Sequence, residues 1–418
     1  MSKEYHDSQR GPSLERLSLV ALLYFAEGLP FGFVYVALPV FFRAQGVDLV
    51  KIGLLSLAGL CWTAKPLWAP LIDAFGRKCH WMILALAGSL VSLIFLAFLP
   101  LLGLLPLLLV FLLCFFSATF DIAADGYTIE ILPAKEVGPA NGVRVAAYRV
   151  ALIVSGGALV ALSGVVGSFL AILGLALLLG LILICVWFWS ATRYSSPSRA
   201  GSSGFFELYK KPLLDLIQRP YSWALVPFVL LFKVGDAMMG AMIYPFWVDR
   251  GFSRAEIGLI SGTLGTILSI LGSLAGGWLV KILGLGRALW TLGAAQALSN
   301  LGYAYAALPS KGRVEVYLAS AIESFTGGLG TAAFLAFLMR LCRRQMSASQ
   351  YALLATLFSF SRAISGALSG FGASSWGYAT FFFYTFWASL PAFFLLPWVL
   401  KSLPESSDSH LATKAHSR

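Results

Sequence analysis

Eleven ionisable side chains interrupt the long apolar runs of this 418-residue chain. They are Glu27, Lys65, Asp121, Asp125, Glu130, Arg144, Arg149, Lys233, Asp236, Glu323 and Arg362. Asp121 and Asp125 are four residues apart, which places both carboxylates on one face of a helix. Two close carboxylates resist simultaneous ionisation, and partial burial adds to that resistance. The pair therefore has the chemistry to bind and release a proton. The structural alternative is a salt bridge to Arg144 or Arg149 that only ties helices together.

The cations in these runs are candidates for binding an anion. Lys65 lies in the middle of a run, where its side chain cannot easily reach water, so we expect it to line an internal cavity. The alternative is an internal ion pair of Lys65 with Glu27 or Asp121. Arg362 has the same two interpretations, because the small residues around it also favour plain helix packing.

Lys233 and Asp236 are three residues apart, a spacing that allows them to form an ion pair on one helix. If they pair with each other, they carry little information about a ligand. Aromatic rings near the charges suit the faces of sugars or other organic molecules, although such rings also form interfacial belts. The candidate substrate-binding residues are Glu27, Trp62, Lys65, Tyr127, Arg144, Arg149, Lys233, Asp236 and Arg362.

The elements that position these groups must lie in a lipid bilayer. Hydrophobic residues make up 59% of the chain and charged residues only 12%, whereas soluble domains are about 25% charged. No soluble core hides this much apolar surface. At about 20 residues per span, the length accommodates about twelve transmembrane helices. The sequence predicts an all-α polytopic membrane protein.

Polar segments divide the apolar runs into two sets of six. The first set lies near 17–42, 50–72, 81–101, 103–131, 138–163 and 165–191, and the second near 221–248, 254–280, 287–308, 313–341, 348–374 and 376–400. The predicted organisation is an N-tail (1–16), an N-terminal six-helix bundle (17–191), a linker with an amphipathic helix (192–220), a C-terminal six-helix bundle (221–402) and a C-tail (403–418).

The chain has a net charge of +11, and its excess of Lys and Arg lies in alternate loops. If both termini are cytoplasmic, nineteen of these residues lie on the cytoplasmic side and six on the other. Cytoplasmic loops of membrane proteins carry such an excess. The sequence therefore predicts cytoplasmic termini, and the charge gives no reason to expect a nucleic-acid partner.

The two halves repeat each other. The segment GVDLVKIGLLS (46–56) recurs as GFSRAEIGLIS (251–261), where Ser253 and Glu256 form a capping box and Asp48 is the matching N-cap. Two parallel six-helix repeats, with the substrate path between them near the bilayer midplane, are the major facilitator architecture.

The loop after the second span carries a charged motif. Facilitators have G-x-x-x-D-x-x-G-R-K/R there, and this chain has Ala69 in place of the first glycine, followed by Asp73, Gly76, Arg77 and Lys78. Charge-assisted contacts from Asp73 and Arg77 are expected to form a conformational latch around Gly76. Ordinary interfacial charges are the alternative interpretation.

Several kinds of chemistry lack their residues. The four histidines lie in tails or a loop, no two cysteines form a CxxC, and Walker A, GxSxG and HExxH motifs are absent from the sequence. We therefore expect no catalytic residues, no metal site and no cofactor, and the chain is not expected to be an enzyme.

Seven segments resemble those of AmpG-type muropeptide permeases and follow in the same order. They are LYFAEGLPFG (23–32), KPLWAPLIDAFGR (65–77), DIAADGYTIEILP (121–133), YRVALIVSGG (148–157), FKVGDAMMGAM (232–242), GGLGTAAFLAFLMRLC (327–342) and SASQYALL (347–354). The resemblance implies proton-driven import of GlcNAc-anhydromuropeptides across a bacterial inner membrane for cell-wall recycling. Asp121 and Asp125 lie in the acidic segment and are the expected proton-coupling residues.

The partners implied are an anionic amino-sugar peptide, protons and the lipid bilayer, and a monomer is the ordinary expectation for this architecture. The same broad family also resembles siderophore importers. Import of another anionic metabolite, such as a ferric siderophore, is therefore the alternative function.

Overall fold

The regular structure of the described chain is helical throughout. The computed structural model describes residues 14–74, 77–100, 103–133, 136–193, 205–342 and 347–401. Within these ranges, eight helical segments are long and apolar enough to cross a membrane. This agrees with the all-α polytopic fold that the composition predicts.

The first half of the chain contains six helical elements. They are α1 (Leu14–Ala44), α2 (a broken run, 49–74), α3 (Lys78–Phe98), α4 (Leu104–Ile131), α5 (137–166) and α6 (168–193).

The second half contains seven. They are α7 (Phe205–Ile217), α8 (Ser222–Asp249), α9 (Arg254–Leu283), α10 (Leu285–Ala306), α11 (Arg313–Leu341), α12 (347–376) and α13 (378–401). The helix predicted in the linker is α7.

Two glycines divide the longest apolar segments. Gly167, with φ +83°, separates α5 from α6, and Gly377, with φ +72°, separates α12 from α13. The segments they interrupt, Ala140–Trp189 and Gln350–Lys401, have 50 and 52 residues. A straight helix of that length would measure about 75 Å, more than twice the roughly 30 Å hydrocarbon core. Each segment is therefore long enough for two crossings. This favours the count of twelve spans, which stays a prediction.

Several helices depart locally from α geometry. Wider π-helical turns occupy Phe33–Ala37 in α1, Ile153–Ala158 in α5 and Ile257–Leu264 in α9. The run α2 contains two 3₁₀ stretches, Leu55–Gly59 and Lys65–Leu67. Such irregular turns are frequent at functional positions, since they redirect side chains within an otherwise regular helix.

The repeated loops begin their helices as the sequence predicts. The side chain of Asp48 accepts a hydrogen bond from the Val50 amide at 2.8 Å. Ser253 and Glu256 form the complete capping box, with both reciprocal hydrogen bonds present. Both caps satisfy amide donors that a helix start leaves open.

The described chain groups into two compact units. The first comprises Met1–Ser202, Gly240–Ile267 and Gly366–Tyr378, and the second comprises Ser203–Met239, Leu268–Ser365 and Ala379–Arg418. The first unit thus contains segments from both sequence halves. The predicted boundaries of the two bundles, at 191 and 221, are not tested by this grouping and stay a prediction.

Glycines bring α5 and α9 into backbone contact within the first unit. A Cβ at Gly157 would overlap the carbonyl oxygen of Gly258 and the side chain of Thr263, and a Cβ at Gly258 would overlap the carbonyl oxygen of Gly157. Gly262 faces the Cα of Gly157 in the same way. Small residues of this kind allow membrane helices to approach closely.

A charged contact joins the end of α1 to the end of α8 within the same unit. Arg43 donates from Nε and Nη2 to the two carboxylate oxygens of Asp249, at 2.6 and 2.7 Å. Tyr378 donates from its hydroxyl to Asp249 Oδ2 at 2.6 Å. A guanidinium that meets a carboxylate in this two-bond geometry gives a strong and directional contact.

The linker helix α7 is anchored in the second unit. Leu216 is buried in an apolar core that includes Phe228 and Phe337. Arg219 donates to Asp215 Oδ2 from Nη2 at 2.7 Å and to the carbonyl oxygen of Leu341 from Nη1 at 2.6 Å. The Gln350 amide donates to the same Asp215 oxygen at 2.8 Å. A buried arginine therefore joins α7 to the ends of α11 and α12.

We expect Arg219→Ala to destabilise the protein, because it leaves the mostly buried Asp215 carboxylate without its cation. Breaking a buried pair in this way costs about 3 kcal/mol. The thermal midpoint of the purified protein in detergent measures the effect. Lys211→Ala removes an exposed cation from α7, the helix that Arg219 anchors, and is the matched control. Equal midpoints for the two variants would contradict the assigned anchor.

The contact between Arg43 and Asp249 should appear as coupling in a double-mutant cycle. Both side chains are about one quarter exposed, so the expected coupling between Arg43→Ala and Asp249→Ala is about 1 kcal/mol. Midpoints of the single and double variants give this value, and Lys51→Ala replaces Arg43→Ala in a control cycle. Additive effects in the first cycle would show that the pair contributes nothing to stability.

Candidate functional site

An ion pair joins α2 to α4 in the first unit. Lys65 Nζ is 2.7 Å from Asp121 Oδ2. The Asp121 residue is only 3% exposed, so its charge depends on this partner rather than on water. Lys65 begins a 3₁₀ turn where α2 is broken. The Trp62 indole lies close to the same carboxylate without meeting hydrogen-bond geometry at Oδ1.

A second ion pair joins α4 to α5. Arg144 Nη2 lies 2.9 Å from Asp125 Oδ1, and the Tyr24 hydroxyl donates to the same oxygen at 2.5 Å. The Arg144 guanidinium also lies over the Tyr24 ring, 4.2 Å from its centroid. Asp125 is far more exposed than Asp121, at 40% of its side chain against 4%. The two carboxylates predicted to share a helix face therefore have different partners and different access to water.

Glu27 of α1 completes this first charge cluster, which comprises Glu27, Lys65, Asp121, Asp125 and Arg144. Glu27 interacts electrostatically with the other four, most strongly with Asp121. Its Oε2 atom is buried and has no hydrogen-bond donor among the described residues. The same holds for Asp121 Oδ1. Buried polar atoms are rarely left in this state, so these two oxygens need an explanation.

Close helix packing places Glu27 against α5. A Cβ on the neighbouring Gly28 would lie 2.7 Å from Ala151 Cβ and 2.8 Å from the carbonyl oxygen of Tyr148. Any larger residue at position 28 would therefore push α1 away from α5. Because α4 also packs on α1, one glycine contact helps to bring four helical elements around the cluster.

Aromatic rings lie beside the first charge cluster. The Trp62 ring centroid is 5.5 Å from that of Phe31 and 6.2 Å from that of Tyr35. Phe31 also lies 6.2 Å from Tyr148. Tyr127 is fully buried in the core. Rings grouped in this way present the flat apolar faces that bind the faces of sugars.

The second unit holds its own charges, which we call the second charge cluster: Lys233, Asp236 and Glu323. Lys233 is 5% exposed, and its Nζ lies 2.8 Å from Asp236 Oδ2 and donates to Thr331 Oγ1 at 3.1 Å. Oε1 of Glu323 and Oδ1 of Asp236 both face Gly327, 3.5 and 3.9 Å from where its Cβ would lie. The pairing expected from the spacing of Lys233 and Asp236 is therefore present.

Two other candidates are half-buried, Arg149 in α5 and Arg362 in α12. In the expected latch, Gly76 and the Asp73 side chain lie outside the described residues, while Arg77 is exposed just before α3. The latch stays a prediction. Within the described ranges, no group of three or more metal-binding side chains comes together.

The candidate substrate-binding residues drawn from the sequence do not include three residues that lie at the two clusters. Tyr24 bonds to Asp125, Thr331 bonds to Lys233, and Glu323 lies beside Gly327, as Asp236 does. Glu323 carried a usable signal, since it is one of the ionisable residues inside an apolar run. Tyr24 carried a weaker signal, as an aromatic residue near the charges, and Thr331 carried none, because threonine is common in membrane helices for packing alone.

The sequence matches the family model described as "Major Facilitator Superfamily" over residues 20–366. An anhydromuropeptide permease of Escherichia coli (strain K12) is 31% identical over 390 residues, which cover 91% of this chain and 79% of that protein. An uncharacterized protein of Haemophilus influenzae is 30% identical over 403 residues, 92% of this chain and 94% of that protein.

A solved structure supports the same fold. It is a bacterial homolog of the human lysosomal transporter Spinster, in an inward-facing and unoccupied conformation, with a TM-score of 0.76 at 14% identity. The alignment covers 95% of this chain and all of that one. With the family match and the identity to the permease, the conclusion is that this chain belongs to the Major Facilitator Superfamily as an AmpG-type permease, a secondary transporter and not an enzyme.

Proposed function

We propose that this transporter imports GlcNAc-anhydromuropeptides across the bacterial inner membrane, driven by the proton gradient, for cell-wall recycling. The observation that carries the proposal is the 31% identity to the anhydromuropeptide permease over 91% of this chain. The proposed orientation has both termini in the cytoplasm, as the distribution of Lys and Arg favours. The proposed functional form is a monomer.

The charges of the first unit support an anionic cargo. Muropeptides carry carboxylates on the lactyl group or the peptide. The Arg144 guanidinium is about 39% exposed at its side chain and can accept such a group in two-bond geometry. Its present partner, Asp125, would then be released. If the cargo carboxylate replaces Asp125 on Arg144, cargo binding changes the protonation of the acidic pair Asp121 and Asp125.

The rings beside the cluster support the sugar part of this cargo. The ring centroids of Trp62, Phe31 and Tyr35 lie between 4.4 and 6.2 Å from each other, and these rings can stack on a saturated ring. A charged end and a flat apolar face in one ligand match an amino-sugar peptide. Lys65 is less available to cargo, because it is already paired with Asp121.

Proton coupling is proposed for the carboxylates of the first charge cluster, with Asp121 and Asp125 as the residues indicated by sequence. A carboxylate that loses its cation within a membrane favours the neutral form, because burying an unpaired charge costs several kcal/mol. Protonation of the cluster therefore depends on which cations it holds. This dependence is the physical basis for moving a proton together with an anion.

Uptake into proteoliposomes tests the cargo and the driving force together. With an inward proton gradient, we expect radiolabelled GlcNAc-anhydro-MurNAc-tripeptide to accumulate above its external concentration and to leak out when a protonophore is added. Liposomes without protein give the background. Absence of uptake by folded protein would overturn the cargo, and a ferric siderophore would then be the next substrate to test.

Arg144→Gln should weaken binding of the anionic cargo selectively. Loss of a charge-assisted hydrogen bond costs about 1.5–3 kcal/mol, roughly a tenfold or larger rise in KM. An analogue with its carboxyl groups amidated should show a much smaller change. Lys51→Gln removes an exposed cation of α2 and is the control. Equal losses for the charged and the amidated cargo would show that Arg144 only holds Asp125 in place.

A further inference from the structure

The first charge cluster contains more negative than positive groups. Glu27, Asp121 and Asp125 face Lys65 and Arg144. Asp121 and Asp125 each take one of the two cations as a partner. Glu27 is left as the third carboxylate, without a cation of its own among the described residues.

Two carboxylates of the cluster have a buried oxygen without a donor. These oxygens are Glu27 Oε2 and Asp121 Oδ1, neither of which has a hydrogen-bond donor among the described residues. Asp121 has Lys65 as its cation, whereas Glu27 has none in the described part of the chain. A proton on Glu27 makes this side chain neutral and gives it an O–H group to donate. It also brings the net charge of the five groups to zero. Asp125 has no such need, since Arg144 and Tyr24 both contact its Oδ1.

We infer that Glu27 is protonated in the cargo-free protein and carries this proton during transport. The coupling to transport rests on the proposed function, whereas the site itself stands on the burial of Glu27 and on its lack of a cation among the described residues. Asp125 is released from Arg144 when an anionic cargo arrives, and the proton held by Glu27 crosses the membrane together with that cargo.

Among the described residues, four charged groups act on Glu27. They are Asp121 and Asp125 of α4, Lys65 of α2 and Arg144 of α5. The Tyr24 hydroxyl, also on α1, interacts with Glu27 and donates to Asp125. Tyr148 of α5 packs on the adjacent Gly28 through its carbonyl oxygen and ring.

Glu27→Gln tests the role in transport, because the amide mimics the neutral, protonated side chain. The accumulation ratio under a proton gradient should fall by about tenfold or more. Exchange of labelled for unlabelled cargo, which moves no net proton, should continue near the wild-type rate. Glu15→Gln changes an exposed acid at the start of the same helix and should behave as the wild type in both assays.

Infrared spectra of the cargo-free protein test the site without reference to any substrate. The carbonyl stretching band of a protonated carboxyl group should be present at neutral pH, and its intensity should fall in Glu27→Gln but not in Glu15→Gln. Any band that remains in Glu27→Gln belongs to other carboxyl groups, such as Glu323. This readout keeps its meaning even if anhydromuropeptides prove not to be the cargo.

Four results would overturn the inference. The first is full gradient-driven accumulation by Glu27→Gln. The second is loss of both exchange and accumulation in a Glu27→Gln protein that is monodisperse and melts as the wild type, which would make Glu27 a cargo ligand. The third is an unchanged carboxyl band in Glu27→Gln. The fourth is accumulation driven by a sodium gradient in place of protons.

Discussion

The first charge cluster has three carboxylates and only two cations, and this excess of one carboxylate determines how its charges pair. In a soluble protein, water would solvate the extra carboxylate, but within membrane helices each unpaired charge costs several kcal/mol. The observed contacts reduce that cost pair by pair, with Lys65 on Asp121 and Arg144 on Asp125. The carboxylate left without a cation is Glu27. A transporter can use such a group, because a side chain that is costly when charged and acceptable when neutral responds to both protons and anions.

The second charge cluster also has one more carboxylate than cations, with two carboxylates and one lysine. Its lysine, Lys233, is paired with Asp236, while Glu323 has the Ser324 hydroxyl as its one hydrogen-bond donor among the described residues. Lys233 lies at an interruption of α8, and Lys65 lies at a break in α2. At such positions the backbone is not fixed by a regular helical ladder, and a long cationic side chain can turn towards its partner.

The sequence predicts the membrane class, the repeat, both helix caps and most charged members of the clusters, because each depends on residue type and spacing. It leaves open which ions pair. Lys65 had Glu27 and Asp121 as equal candidates, and the choice depends on how a 3₁₀ turn in α2 directs the side chain. The difference in exposure between Asp121 and Asp125 is equally invisible in sequence, since both lie on the same face of one helix.

The contact between Gly157 and Gly258 has a mechanical consequence. Interlocked side chains must change rotamer before two helices can part, whereas two closely packed backbones need no such change. The faces of α5 and α9 meet in this manner. Polar contacts join them at the start of α9, where Arg254 donates to the carbonyl oxygen of Ser163 in α5 and to Ser168 Oγ in α6. Parting of the helices at this place therefore depends on breaking these hydrogen bonds more than on releasing interlocked side chains.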